Sequence, residues 1–89
     1  MGTKGKKAKH AQTNAGKLQK LIEDVIDAQN RGDPELSSKA VQAIDKFGED
    51  VGSEQLRNAA VEARVVAQHE VAVDRVRLLR EIAQRLETA

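Results

Sequence analysis

The sequence predicts an all-α fold in which an antiparallel helical hairpin is followed by one long C-terminal helix. Apolar residues recur at helical spacing along most of the chain, and this pattern is interrupted at the glycine- and proline-containing segments 32–34 and 48–52. The last 37 residues, 53–89, contain neither glycine nor proline. This three-helix arrangement leaves space for a second chain to complete a bundle.

Residues 1–16 are predicted to be a flexible, lysine-rich N-terminal arm, and residues 17–89 a helical domain. The arm has low hydrophobicity and contains three glycines and four lysines, so it buries too little apolar surface to offset the entropy lost on ordering. Thr13 and Asn14 are the candidate N-caps for the first helix, because their side chains can accept a hydrogen bond from a free backbone N–H group.

The first helix is predicted over residues 17–31. Its apolar residues form a single stripe at the spacing i, i+3, i+4, i+7 and i+8, and they are Leu18, Leu21, Ile22, Val25 and Ile26. Gly32 follows at the position where a residue in the left-handed conformation commonly ends a helix.

The second helix is predicted over residues 34–47. Asp33 suits the N-cap, and Pro34 suits the first helical position, where its missing N–H group costs nothing. Gly48 or Gly52 is expected to end this helix. Only two residues separate the first and second helices, so they are expected to form an antiparallel hairpin. The apolar face of the second helix consists of Leu36, Ala40, Ala43, Ile44 and Phe47.

The third helix is predicted over residues 53–87, with Ser53 as its N-cap. A continuous helix over the last 37 residues would be about 55 Å long, roughly twice the length of either preceding helix. Its apolar residues form two stripes rather than one. The first stripe contains Val61, Val65, Ala72, Val76, Leu79, Ala83 and Leu86. The second stripe lies roughly 120° away at 100° per residue, and contains Leu56, Ala60, Ala63, Ala67, Val71 and Leu78.

Two stripes on one helix predict two burial surfaces, of which the hairpin can cover one. The alternative is a bend near Gln68-His69-Glu70, which would give a four-helix bundle that satisfies both stripes within one chain. The absence of glycine and proline favours the continuous helix, because sharp bends usually occur at such residues.

The apolar composition also favours association with another chain. The sequence has 13 alanines but only one aromatic residue, Phe47, and a chain of this size buries a modest core. We therefore predict a non-enzymatic assembly or interaction protein that oligomerises or binds another helical protein through the long helix. The predicted interface consists of Val61, Val65, Ala72, Val76, Leu79, Ile82, Ala83 and Leu86.

The charge distribution supports an alternative function. The formal net charge is +1, yet residues 1–20 contain six lysines and no acidic residue, whereas residues 21–89 contain nine basic and fourteen acidic residues, a net of −5. Lysines in such a segment can neutralise phosphates and release counterions. The alternative is therefore a protein that associates with nucleic acid or another polyanion through Lys4, Lys6, Lys7, Lys9, Lys17 and Lys20.

Other classes of function have little support in the sequence. There is no cysteine, and the only cluster that resembles a metal site, Glu62, His69, Glu70 and Asp74, lacks the Glu-x-x-His pairs typical of helical metal centres. We predict no enzymatic activity, no cofactor, no metal and no small-molecule substrate. The chain shows no signal peptide and no apolar run long enough for a membrane, so we expect a cytoplasmic or other aqueous, non-secreted location without membrane binding.

Overall fold

A computed structural model describes residues 13–88, which form four α-helices: α1 (Asn14–Asn30), α2 (Pro34–Asp50), α3 (Glu54–Ala67) and α4 (Ala72–Thr88). The prediction of an all-α fold is confirmed. Residues 1–12 of the predicted arm lie outside the described residues.

Helix α1 begins three residues earlier than predicted. The Thr13 hydroxyl accepts a hydrogen bond from the Gly16 N–H group at 2.9 Å, so Thr13 is the N-cap and residues 14–16 belong to the helix rather than to the arm. Gly32 has φ +69° at the other end, as predicted for a left-handed residue after a helix. The Asp33 N–H group donates to the Ala28 carbonyl at 3.0 Å, which closes the helix end.

Helix α2 begins as predicted but ends differently. The Asp33 carboxylate accepts a hydrogen bond from the Leu36 N–H group at 3.1 Å, and Pro34 is the first helical residue. The helix continues through Gly48 to Asp50, so Gly48 does not end it. Gly48 is buried, and a Cβ atom added there would lie 3.2 Å from the Ala60 Cβ atom. Its small size is therefore what allows α3 to approach α2 closely.

The predicted continuous helix over residues 53–87 is wrong, because the chain breaks between α3 and α4. Ser53 caps α3 as predicted, accepting from the Leu56 N–H group at 3.3 Å. The helix then ends at Ala67, and α4 starts at Ala72. The break lies at the position that the bent alternative proposed.

Local polar contacts replace the helical hydrogen bonds at this break. His69 Nδ1 accepts a hydrogen bond from the Val71 N–H group at 3.1 Å. The Arg75 guanidinium donates through Nη1 to the His69 carbonyl and through Nε to Gln29 Oε1, the latter at 3.0 Å. These bonds hold the connection without glycine or proline.

The physical reason for the break is that it buries a different stripe in each half of the segment. In α3 the second stripe faces inward, with Ala60 and Ala63 buried, whereas in α4 the first stripe does so, with Leu79 and Leu86 buried. A continuous helix could present only one of these surfaces to the hairpin. The free energy of burying both, at roughly 25 cal/mol per Å², offsets the few helical hydrogen bonds lost at residues 68–71.

The four helices surround one apolar core. Helix α1 contacts the other three helices, α3 contacts α2 and α4, and α2 and α4 lie at opposite corners. The core draws on all four helices, and its members are Leu18, Ile22, Val25, Ile26, Ile44, Ala60, Ala63, Leu79, Ile82, Ala83 and Leu86.

Candidate functional site

The eight residues predicted as an interface do not form one exposed surface. Four of them are buried in the core of the same chain: Leu79, Ile82, Ala83 and Leu86. Val76 is half-buried and packs against that core, and Ala72 is exposed at the start of α4. Only Val61 and Val65, at 51% and 62% exposure, are large apolar side chains that remain on the surface.

Val61 and Val65 lie on the face of α3 that points away from the core. They are four residues apart, so their side chains are neighbours on the helix surface. The inward face of the same helix buries Ala60 and Ala63. The residues of α3 that are fully buried are thus small, Leu56 and Val66 pack half-buried against the core, and the two outward valines are exposed.

The outward face of α3 extends beyond the valines. Positions Glu54, Asn58, Val61 and Val65 are all exposed and follow each other at spacings of four, three and four residues. That spacing keeps them on one line along the helix, as in the contact line of a coiled coil. We call these four residues the α3 outer face.

Charged side chains of opposite sign border the α3 outer face. On the side towards α2, the Arg57 guanidinium donates to the Val51 carbonyl at 3.2 Å, and Arg64 lies 3.7 Å from the Asp45 carboxylate. On the side towards α4, the Glu62 carboxylate accepts a hydrogen bond from Arg85 at 2.9 Å. On α3 itself, one border therefore carries two arginines and the other carries Glu62, while Asp45 of α2 and Arg85 of α4 bring the opposite charge next to Arg64 and Glu62.

The other large apolar residues that are exposed between residues 13 and 87 lie elsewhere. Val71 and Val73, at 50% and 76% exposure, belong to the connection before α4 and to its first turn, and Leu36, at 44%, belongs to the start of α2. Single exposed apolar side chains are normal on protein surfaces. These three residues are therefore weaker evidence for an interaction surface than the adjacent pair Val61 and Val65 on α3.

A groove of about 680 Å³ lies at the end of the bundle where α1 passes into α2. Its lining combines Arg64 and Arg75 with Asp33 and Asp45, so the charges balance. Both arginines already contact protein groups, as described above. The groove thus resembles a polar, ion-paired surface more than a site prepared for one charged ligand.

The four residues that resemble a metal site in the sequence, Glu62, His69, Glu70 and Asp74, do not form one cluster in the structure. Glu62 is engaged by Arg85 on α4, whereas His69 contacts the backbone of its own connection. Among residues 13–88, the structure brings together no group of three histidine, aspartate or glutamate side chains that could hold a metal ion.

The structure places two of the six predicted polyanion-binding lysines. Lys17 and Lys20 are exposed on α1, where Lys20 lies 4.0 Å from the Asp24 carboxylate. The other four, Lys4, Lys6, Lys7 and Lys9, lie outside the described residues. Within the described part of the chain, no helix has both the length and the apolar character needed to cross a membrane.

Comparison of the chain with protein-family models gives no match, and searches of curated proteins and of solved structures likewise give none.

Sequence reasoning did not single out Asn58, Arg57 or Glu62 as parts of a surface. A usable signal was present, because alanines recur at positions 59, 60, 63 and 67. An alanine-rich face suits close contact with a neighbouring helix. Taking that face as the inward one would have placed Val61 and Val65 outward.

Proposed function

We propose that this protein is a non-enzymatic interaction protein whose α3 outer face binds another protein chain, either a second copy or a different helical protein. The observation that carries the proposal is the exposure of Val61 and Val65 side by side on a helix that buries only small residues at its centre. The class of function is the one predicted from the sequence. The proposed surface is different, because the C-terminal stripe lies in the core.

The energetics favour a helical partner. Burying a valine side chain completely stabilises a complex by roughly 1.5–3 kcal/mol relative to full exposure, and more than half of each of these two side chains is still in water. A helix that supplies apolar contacts at positions four residues apart is suited to a groove or to another helix. The flanking charges supply specificity at the rim.

The test compares two single substitutions that add the same charge at different exposed valines. Val65→Glu changes the α3 outer face, and Val73→Glu changes a site on α4. Purified wild-type and variant proteins are compared for self-association by sedimentation, and as immobilised baits whose captured chains are identified by mass spectrometry. We expect an association, with itself or with a captured chain, that Val65→Glu weakens at least ten-fold and Val73→Glu leaves unchanged.

Two results would overturn the proposal. One is the absence of any association in either measurement. The other is an association that both variants weaken equally, since that would reflect net charge rather than the α3 outer face. Circular dichroism on both variants checks that each retains the wild-type helix content.

A second candidate function, polyanion binding, is supported by the separation of charge along the chain. Residues 1–20 hold six lysines and no acidic residue, and Lys17 and Lys20 present part of that charge on the exposed side of α1. The acidic remainder of the chain would repel a polyanion. Binding would therefore depend on these lysines and would weaken steeply with salt.

Retention on immobilised DNA and RNA over a salt series tests this second function. Replacing Lys4, Lys6, Lys7 and Lys9 by glutamine removes four charges without changing α1, so it separates charge from folding. We expect the variant to elute at lower salt than the wild type. Elution of both proteins at the same salt concentration would refute polyanion binding by the arm.

A further inference from the structure

We infer that the α3 outer face pairs with the same face of a second copy of this chain, with the two α3 helices parallel. This inference rests on the proposed function and deepens it by naming the partner and its orientation. It is carried by three observations: the spacing of the outward residues, the asymmetry of the bordering charges, and the position of Asn58 between Glu54 and Val61.

The spacing of the α3 outer face matches the contact positions of a two-stranded coiled coil. In the heptad nomenclature, Glu54 and Val61 occupy d positions, and Asn58 and Val65 occupy a positions. Each contact position of one helix then lies against the same position of the other in a parallel pair. The two valines form the apolar centre of this contact.

The bordering charges distinguish the two possible orientations. In this register Arg57 and Arg64 occupy g positions, and Glu62 occupies an e position. In a parallel pair a g residue lies near the e residue five positions later on the partner. Arg57 of each copy therefore faces Glu62 of the other, which makes two attractive contacts per dimer.

An antiparallel pair would bring like charges together. In that orientation e positions face e positions and g positions face g positions, so Glu62 would approach Glu62 and Arg64 would approach Arg64 across the contact. Like charges opposed in this way destabilise an interface. The parallel orientation is therefore the one that these borders favour.

Asn58 supports the same conclusion. A single asparagine at an a position specifies the register and the two-stranded state of parallel coiled coils, because the two amides hydrogen-bond to each other. Glu54 is the one unfavourable contact position, since its carboxylate would face Glu54 of the second chain. It lies in the first turn of α3, where solvent is accessible and the positive end of the helix dipole lowers the cost of its charge.

The contact is short, so the dimer is weak. Helix α3 has 14 residues, which is two heptads, and only two valines of each copy form the apolar centre. Self-association should therefore be sought at protein concentrations up to about 1 mM, where a weak complex is still populated.

Reversing the charge of Arg57 or of Glu62 tests the inference, with the dimer dissociation constant measured by sedimentation equilibrium. Arg57→Glu and Glu62→Arg each place like charges in both inter-chain contacts, and each is expected to weaken the dimer at least five-fold. The double variant, and an equimolar mixture of the two single variants, restore opposite charges and are expected to recover wild-type association. An antiparallel dimer instead opposes position 62 to position 62, so each single variant and the double variant would keep like charges there and would not weaken or recover through this contact. In that orientation only the mixture would change, associating more strongly than the wild type.

A single cysteine provides a test that leaves the charges intact. The chain has no native cysteine, and Gln68, the residue that caps the C-terminal end of α3, lies where the next d position after Val61 would fall. Gln68→Cys is expected to form an inter-chain disulfide under mild oxidation, because a parallel pair places the two sulfurs together. Val73→Cys, off the α3 outer face, is the matched control and is expected to cross-link at least five-fold more slowly.

The outcomes separate this inference from the proposed function. A wild-type protein that remains monomeric at 1 mM, or equal cross-linking of both cysteine variants, overturns the parallel homodimer. If Val65→Glu still abolishes capture of a different chain, the proposed function stands and only the self-association fails. If no association depends on Val65, both fail. Because Glu62 also binds Arg85 and Arg57 binds the Val51 carbonyl, unfolding temperatures are measured for every charge variant.

Discussion

Helices α3 and α4 come from one stretch of sequence without glycine or proline, yet the side chains that they bury differ in size. Helix α4 buries Leu79 and Ile82 and exposes charged residues, as expected for a helix on the surface of a bundle. Helix α3 buries Ala60 and Ala63 and exposes Val61 and Val65. Leu56 and Val66 of α3 pack half-buried against the core, whereas Val61 and Val65 do not contribute to it.

The difference follows from how closely each helix approaches its neighbours. Gly48 and Ala60 bring α2 and α3 into close contact, with little space for a larger side chain between them. Helix α4 has larger side chains in the core and fills the remaining volume. Small residues thus fix the position of α3, and Val61 and Val65 remain exposed on its outer side.

The break between the two helices is the first feature to test, since it has the largest geometric consequence. A continuous helix would separate the Cα atoms of residues 55 and 87 by about 48 Å, whereas neighbouring packed helices lie only about 8–10 Å apart. Spin labels on Gln55→Cys and Glu87→Cys should report a short distance by pulsed electron paramagnetic resonance. Dilution with unlabelled protein removes contributions from self-association, and a distance near 48 Å would contradict the helical hairpin.

The largest effect on stability is expected from the core of α4. Leu79 is completely buried, so Leu79→Ala should lower the free energy of unfolding by about 2–5 kcal/mol, measured by urea denaturation. Val65→Ala is the matched change on α3 and should alter it by less than about 0.5 kcal/mol, because Val65 is exposed. Similar losses for both variants would mean that Val65 contributes to the core.

Local rules predicted the helix boundaries that depend on neighbouring residues in the sequence. The caps Asp33 and Ser53 and the left-handed Gly32 all occur where the sequence indicated them. Each depends on hydrogen bonds or backbone angles within a few residues. Such features can be predicted without knowledge of the tertiary structure.

The features that sequence reasoning missed depend on distant parts of the chain. The break at residues 68–71 arises because folding back buries both apolar stripes, not because a residue there disfavours helix. Gly48 was one of two glycines expected to end α2, but it lies inside the helix and its role depends on Ala60, twelve residues later. The predicted interface mixed core and surface residues because a helical wheel assumes one continuous helix, whereas Val65 and Leu79 lie on two helices.

The close contact between α2 and α3 gives the next prediction. Gly48→Leu would place a large side chain where even a Cβ atom lies 3.2 Å from the Ala60 Cβ atom. Such overpacking should lower the free energy of unfolding by about 1–3 kcal/mol. In Gly48→Ala the higher helix propensity of alanine, worth about 1 kcal/mol, opposes a smaller clash, so the net change should be within about 1 kcal/mol. A Gly48→Leu variant as stable as the wild type would show that α3 can move away without loss.

The smallest expected effect concerns how the two helices begin. Helix α3 has Ser53 as a capping residue, whereas α4 is preceded by Val71, whose carbonyl accepts the first helical hydrogen bond from the Arg75 N–H group at 3.0 Å. Valine is among the poorest residues at such a position, and aspartate is among the best. Val71→Asp should therefore raise the free energy of unfolding by about 1 kcal/mol, because half of the valine surface is already in solvent and little burial is lost.

Val73→Asp is the control for this substitution. It places the same charge within the first turn of α4, where only the interaction with the helix dipole, about 0.3–1 kcal/mol, is gained. The difference between the two variants in urea denaturation therefore isolates the capping hydrogen bond. The His69 imidazole accepts a hydrogen bond from the Val71 N–H group, which is not one of the N–H groups that an N-cap side chain binds. If Val71→Asp were no more stabilising than Val73→Asp, the aspartate at position 71 would therefore form no capping hydrogen bond, and its effect would be that of the helix dipole alone.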